Sequence, residues 1–394
     1  MAASNWICVV SALTFGVVGS VTSQSINLEQ HLQHLTTIRN PSASSNTAWY
    51  EARDYISHQF FSYNLTTKFH TFNTSVNVNN NGGTTFTGTN VIGIAEGPAD
   101  GPVLLVGADF DTTVSQKSPL EDNGAGIAAL LEVARLYMDQ YHSNELNNVT
   151  GTVLFVAFDI NTVEYEGQPS GKAGSYLFLH QWLWSYLGQS SERFYGAIIL
   201  DSISKYNMEE RSQVLPDDFQ DVFPEAYGDI VNRTNKGDFL ALFTRHSEAS
   251  RRLTEALFDS YEKDRKAMMF RLLDLTLRDG SKYGETFRMF DHQSQFHFWT
   301  FQPADKPVPL PAILLTDTDV HRKSPNTCST NPCTAEEFLT RPAKAFIEKT
   351  VESLVQTLAS LLIESPEVVT DSGIGLVPSI SIMVLAVCLG KLLH

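Results

Sequence analysis

The chain has 394 residues, 42% of them hydrophobic and 18% charged, which is ordinary for a globular protein and long enough for one large α/β domain without a second. A formal net charge of -16 argues against nucleic acid or an anionic membrane surface as partner, because both need a basic face that releases counterions. The same acidity serves solubility.

In chain order, Trp6 to Val21 is an apolar run without an acidic residue, closing on the small residues Ser20 and Ser23. It reads as the core and cleavage site of a secretory signal spanning 1–23, although no Lys or Arg precedes it. Ile26 to Tyr63 is polar and helical, with Leu28, Leu32, Leu35 and Ile38 at three- and four-residue spacing, a break at Asn40-Pro41 and a restart near Thr47. Strands are predicted over Thr67–Val78, Thr89–Ala95 and Val103–Gly107, the last apolar on both faces as in the middle of a sheet. A helix over Gly126–Tyr141 presents Ile127, Leu130, Leu131, Ala134 and Tyr137 on one face. The alternation continues with strand Thr152–Phe158, helix Gly174–Leu187, strands Ala197–Leu200 and Phe239–Phe243, helix Glu248–Lys266, strand Ala312–Leu315 and a long closing helix Ala335–Leu362. Ser202 to Asp238 reads as an irregular connection, and there is no internal repeat. This order predicts an α/β fold of three layers, a mostly parallel central sheet with helices on both faces, occupying residues 26–363. Ligand sites on such sheets collect beyond the carboxyl ends of the strands, so chemistry belongs after Gly107, Phe158, Leu200 and Leu315.

Residues 364–373 read as a linker and 374–394 as an apolar tail. The tail is long enough to span a bilayer, but its only basic residue before His394 is Lys391, inside the run. Together with the small pair Ser372 and Gly373, this favours exchange for a glycolipid anchor at one of those two residues, with a single transmembrane helix as the alternative. Asn64, Asn73, Asn148 and Asn232 each open an Asn-x-Ser/Thr glycan acceptor. Cys8 and Cys388 lie in the segments expected to be removed, leaving Cys328 and Cys333 close enough to close a small disulfide loop in an oxidising compartment. These signs place the chain in the secretory pathway and on the extracellular face of the cell membrane.

The loops in question hold Gly107-Ala-Asp109-Phe-Asp111, Glu121-Asp122-Asn123-Gly124-Ala-Gly126, Phe158-Asp-Ile-Asn161-Thr162, Leu200-Asp201-Ser and Leu315-Thr-Asp317-Thr. In order and spacing they resemble the secreted aminopeptidases with a co-catalytic zinc pair, a superfamily that includes glutaminyl cyclases and the non-enzymatic ectodomains of nicastrin and nicalin. The resemblance covers Ile26 to Leu362 and is most specific from Val103 to Leu136. It implies two zinc ions sharing a bridging carboxylate and activating a water whose proton passes to a Glu. Carried over residue by residue, the bridging ligand falls on Asp122, the turn residue on Asn123, another ligand on Asp201, and the Asp that accompanies the first ligand on Asp111. The first ligand itself, a His in the family, falls on Asp109. The family's Glu-Glu pair, base and ligand, falls on Asn161-Thr162 when aligned from Phe158-Asp159; the other register, from Gly167, gives Glu164-Tyr165. The last His ligand falls on Thr327, with His321 a few residues away. His292 resembles a substrate-side element of some relatives, and His292 and His297 read equally as packing residues.

With those ligands and the base replaced, Asp109, Asp111, Asp122 and Asp201 share one expected cleft. They require a cation or raised pKa values, and an all-oxygen set suits Ca2+ or Mg2+ better than zinc. The expectation is a membrane-tethered, non-catalytic ectodomain that binds a peptide, a glycan or a membrane protein and holds one divalent cation or none. The alternative is an active aminopeptidase or glutaminyl-cyclase-like enzyme that binds two zinc ions and recruits Glu164 or Glu166 and His321. No Gly-x-Ser-x-Gly elbow, phosphate loop or His-Glu-x-x-His helix offers a competing chemistry.

Overall fold

The computed structural model describes residues 25–76, 84–114, 118–144, 147–162, 173–263, 270–278, 286, 293–326, 328 and 332–364. The expected signal, the linker beyond 364, the anchor residues Ser372 and Gly373 and the apolar tail lie outside the described residues, as do Glu164, Glu166, His292 and Thr327. Among the described residues no helix is long and apolar enough to cross a membrane.

Among the described residues ten strands form: β1 (Thr66–Val76), β2 (Thr84–Ala95), β3 (Val103–Asp109), β4 (Asn148–Val149), β5 (Thr152–Phe158), β6 (Phe194–Asp201), β7 (Phe239–Arg245), β8 (Arg271–Leu277), β9 (Ala312–Thr316) and β10 (Ile363–Glu364). Eight of them make one sheet in the order β1-β2-β5-β3-β6-β9-β7-β8, and β4 with β10 makes a two-stranded ribbon. The centre is parallel, from β5 through β3 and β6 to β9, while β1, β2 and the β7–β9 pairing are antiparallel. The three-layer α/β architecture expected from the alternation is therefore present.

The central strands are apolar on both faces because both are covered. From β3, Leu104, Val106 and Ala108 enter one core together with the Ala125–Tyr137 and Arg341–Leu362 helices, whereas Val103 and Leu105 enter the other with Phe178, Leu183, Phe219 and Phe298. This is the two-residue period of a strand. The Ala125–Tyr137 helix is buried almost all round, Arg135 excepted, since it lies between the sheet, the N-terminal helices and the Arg341–Leu362 helix.

The structure corrects three expectations. The closing helix is two helices, Ala335–Phe338 and Arg341–Leu362, the second capped by Thr340 and carrying Pro342 in its first turn. Proline lacks the N–H that a continuous helix would use and disfavours helix in the residue before it. The stretch after Asp201 contains the helix Pro224–Asn232. Strand β8 was not expected; it is an edge strand in which buried Leu273, Leu275 and Leu277 alternate with exposed Asp274 and half-buried Thr276, in a run of only seven residues.

Candidate active site of an aminopeptidase-like fold

Parallel pairing brings the strand ends side by side: Asp109 lies opposite Phe158, Ala108 opposite Leu200, and Asp201 opposite Thr316. Every motif loop therefore opens at one edge of the sheet. The turn carrying Asp122, Leu120–Gly124, is held there by two residues. Asn123 donates Nδ2 to the Leu200 carbonyl at 2.8 Å and accepts at Oδ1 from the amides of Gly126 and Ser202, both at 3.1 Å. Gly126 is required because a Cβ would stand 2.2 Å from Asn123 Oδ1. Arg39, fully buried, spreads its guanidinium over the carbonyls of Leu35 (2.6 Å), Phe110 (2.6 Å) and Pro119 (3.1 Å), so it joins the N-terminal segment to both the β3 end and the turn. The sequence reading missed Arg39, since nothing in its spacing marks it.

Asn161, at the position matched to the general base, is buried and has its hydrogen-bonding capacity engaged. Its Nδ2 donates to Asp109 Oδ1 at 2.6 Å and to Ser294 Oγ at 2.8 Å, and its Oδ1 accepts from the amide and hydroxyl of Ser175, each at 3.0 Å. Its own backbone amide donates to Asp111 Oδ1 at 3.1 Å. Ser294 Oγ also donates to Asp109 Oδ1 at 2.7 Å. Asp109, which the resemblance matches to a zinc-binding imidazole, is thus bound into a protein network. Burial lifts its pKa to about 6, against the lowering effect of Ser294 and Asn161. His297 pairs through Nδ1 with Ser175 Oγ at 2.7 Å, and burial pulls its pKa to about 4. Ser175 itself is fully buried, so this pair closes the network from behind. Thr162 is half-buried beside Asn161.

Asp122 and Asp201 remain as the matched ligands. Burial raises both, and neighbouring carboxylates raise them further: Asp201 feels Asp122, Asp319, Asp109 and Asp317, while Asp122 feels Asp319 and Asp109. Lys205 and Arg39 oppose this at Asp122. Asp317 accepts at Oδ2 from the amides of Ser204 (2.8 Å) and Lys205 (2.6 Å), and burial lifts it to about 6. His321 sits in the short helical turn Asp319–His321, half-buried; burial lowers its pKa, and Asp319 is the carboxylate that it feels. The sequence reading passed over Lys205, Asp319, Glu121 and Ser294 as site residues. They come from loops whose approach no local pattern records.

Cys328 and Cys333 form the expected disulfide, with Cα atoms 5.3 Å apart. Asn64, Asn73, Asn148 and Asn232 are all exposed.

Residues 90–222 match the family described as Peptidase family M28. Glutaminyl cyclase from Macrostomum lignano superposes with a TM-score of 0.53 at 14% identity, over 84% of this chain and 87% of that one. Glutaminyl cyclase from Porphyromonas gingivalis gives 0.51 at 13% over 85% and 97%, and a zinc aminopeptidase from Bacillus subtilis gives 0.51 at 11% over 86% and 97%. At such identities the structures show the fold: that of the zinc aminopeptidases and glutaminyl cyclases. The match over 90–222 and the resemblance carried by the motif loops both agree with that fold. No curated protein matches in sequence.

Two zinc ions are what this superfamily implies, and the described side chains do not fit them. No three His, Cys, Asp or Glu side chains among the described residues are grouped so as to hold a metal ion. Asp109 is committed to Asn161 and Ser294. The ammonium of Lys205 stands in the carboxylate cluster, 2.8 Å from Asp319 and 3.7 Å from Glu121. Zinc also prefers nitrogen or sulfur in its donor set, and Asp109, Asp122 and Asp201 offer oxygen alone.

Proposed function

We propose that this chain is a cell-surface ectodomain of aminopeptidase fold that binds a peptide, a glycan or another membrane protein and does not hydrolyse it. The observation that carries the reading is Asn161. A carboxylate at that position can take a proton from a metal-bound water, but an amide cannot, and this one is spent on Asp109, Ser294 and Ser175. The first metal position is filled by Asp109 in the same network, so base and ligand are replaced together. Tethering rests on the apolar tail after Ser372-Gly373, and secretion on the leading apolar run and four glycan acceptors.

The test is turnover by the purified mature protein on aminoacyl fluorogenic substrates and on peptides with N-terminal glutamine. No product above the uncatalysed rate is expected. Turnover abolished both by chelation and by Asp122→Ala would replace this reading with that of an active enzyme drawing on Glu164 or Glu166. Release of the protein from cells by a phospholipase that cleaves glycolipid anchors is expected; retention would favour a transmembrane helix.

A further inference from the structure

Lys205 lies four residues beyond Asp201, on the loop that leaves β6. Its ammonium donates to Asp319 Oδ1 at 2.8 Å and stands 3.7 Å from Glu121 Oε2, with its side chain 7% exposed and that of Glu121 5%. Its own backbone amide donates to Asp317. Glu121 belongs to the turn that carries Asp122, and Asp317 and Asp319 to the loop after β9. A second link joins the same two segments, because Ser324 Oγ donates to Glu121 Oε1 at 2.5 Å. In a catalytic member, the bridging Asp of the first segment and the last His of the second would meet through metal ions, as the resemblance implies.

Resting on the non-catalytic reading of this site, we infer that Lys205 is the resident cation of the site: its tethered ammonium joins the Asp122 turn to the Asp317–His321 loop where a metal ion would otherwise join them. An exposed Lys–Asp pair would be worth little. Lys205 is buried, however, among three carboxylates from two segments, and removing one partner of such a group leaves charge uncompensated. Burial alone would lower the pKa of its ammonium; Asp319, Asp317 and Glu121 more than reverse that and hold it above its usual value. Asp109, Asp122, Asp201, Asp317, Asp319 and Glu121 surround the site, and Lys205 and Arg39 are the fixed cations that Asp122 feels. A divalent ion entering there would meet a positive charge that cannot diffuse away. The structure of the site is therefore independent of metal.

The test is thermal unfolding of the mature protein in chelator and in millimolar Ca2+, Mg2+ or Zn2+, for wild type, Lys205→Met and Lys205→Arg. Wild type is expected to unfold within about 1 °C of the same temperature in every buffer. Lys205→Met is expected to unfold roughly 5 to 10 °C lower in chelator and to recover at least half of that in Ca2+ or Mg2+, with Lys205→Arg closer to wild type. A wild-type protein that loses stability in chelator overturns the inference, and that arm needs no variant to fold. So does a Lys205→Met protein as stable as wild type. A Lys205→Met protein that fails to fold in chelator but folds in Ca2+ supports it; one that folds in neither, beside a Lys205→Arg protein that is itself metal-dependent, overturns it. Metal dependence without turnover would sink this inference alone, and turnover without metal-dependent stability would sink the non-catalytic reading alone.

Discussion

Asn161 gives its side-chain amide to Asp109 at 2.6 Å, so the residues that the alignment from Phe158-Asp159 matches to the superfamily's base and first ligand satisfy each other. The pair is chemically matched, since a carboxylate accepts what an amide donates, and Ser294 completes the match from a third segment. A catalytic site needs these groups turned toward a substrate or an ion. Here they are turned inward, as core polar groups must be once buried.

Asn161→Asp reverses that match. It places a second carboxylate against Asp109, and two like charges at hydrogen-bond distance cannot both ionise. The variant is expected to lose about 3 kcal/mol or more at pH 7.5, falling below about 1 kcal/mol near pH 5, where the two carboxylates share a proton. Urea unfolding at both pH values measures this. A loss that is equal at the two would mean that Asp109 and Asn161 are not in contact.

Asp109→Asn tests the same carboxylate from the other side. The folded pKa of Asp109 is lifted to about 6, whereas an unfolded Asp titrates near 3.9. A raised folded value means that the native state binds the proton more tightly, so the contribution is fully present below about pH 3.9 and lost as pH rises through 6. Relative to Asp109→Asn, which has no such proton, wild type should lose up to about 3 kcal/mol between pH 4 and pH 7.5. Asp122 and Asp201 also feel the Asp109 charge, so their titration shifts in the variant and adds to the difference in the same direction, while groups that do not feel Asp109 cancel. A flat difference across that range would contradict the assignment.

Arg39→Lys keeps the charge and removes the fork. An ammonium can reach one or two of the carbonyls of Leu35, Phe110 and Pro119 but not all of them, so about 3 kcal/mol of stability should go. The loss should be local before it is global. Hydrogen exchange at the Gly124 amide, which donates to the Pro119 carbonyl, should quicken well ahead of exchange in β3. Equal protection in both proteins would show that the turn stands without Arg39.

The strand ends were legible in the sequence because burial on both faces writes a continuous apolar run, as in Val103–Asp109 and Thr152–Phe158, and because Asp-Asn-Gly-x-Gly records a local geometry. Asp109, Asp122 and Asp201 could be placed at one sheet edge for that reason. What could not be read was who meets them. Ser294 lies 185 residues from Asp109, and Asp319 lies 114 from Lys205, so neither contact leaves a periodic trace. The expectation of four carboxylates sharing one cleft left out the protein's own cations and donors. Asp111 accepts from the Asn161 amide, and Lys205 and Arg39 bring positive charge that no motif announced. The break at Thr340, by contrast, is local and was legible, since Pro342 cannot continue a helix from the preceding turn.

The Cys328–Cys333 bridge closes a loop of sequence separation 5 immediately after the loop that holds Asp319 and Ser324. So short a loop removes little entropy from the unfolded chain, and the loop-closure relation gives about 2 kcal/mol for it. Replacing both cysteines with alanine should therefore lower the unfolding free energy by at least that amount, read as a lower urea midpoint at an unchanged slope, because the buried surface is nearly the same in both proteins. Cys328 is 1% exposed and packs in the main core, so the alanine at 328 adds a small cavity cost to the entropic one. Wild type unfolded under reducing conditions separates the two, since it loses the bridge but keeps the sulfur atoms. If the bridge acts only through chain entropy, reduced wild type should fall between oxidised wild type and the double variant. If reduction instead costs far more than about 2 kcal/mol, the loop does more than shorten the unfolded chain: it holds Ser324 against Glu121, and with it the second link between the two segments that Lys205 joins.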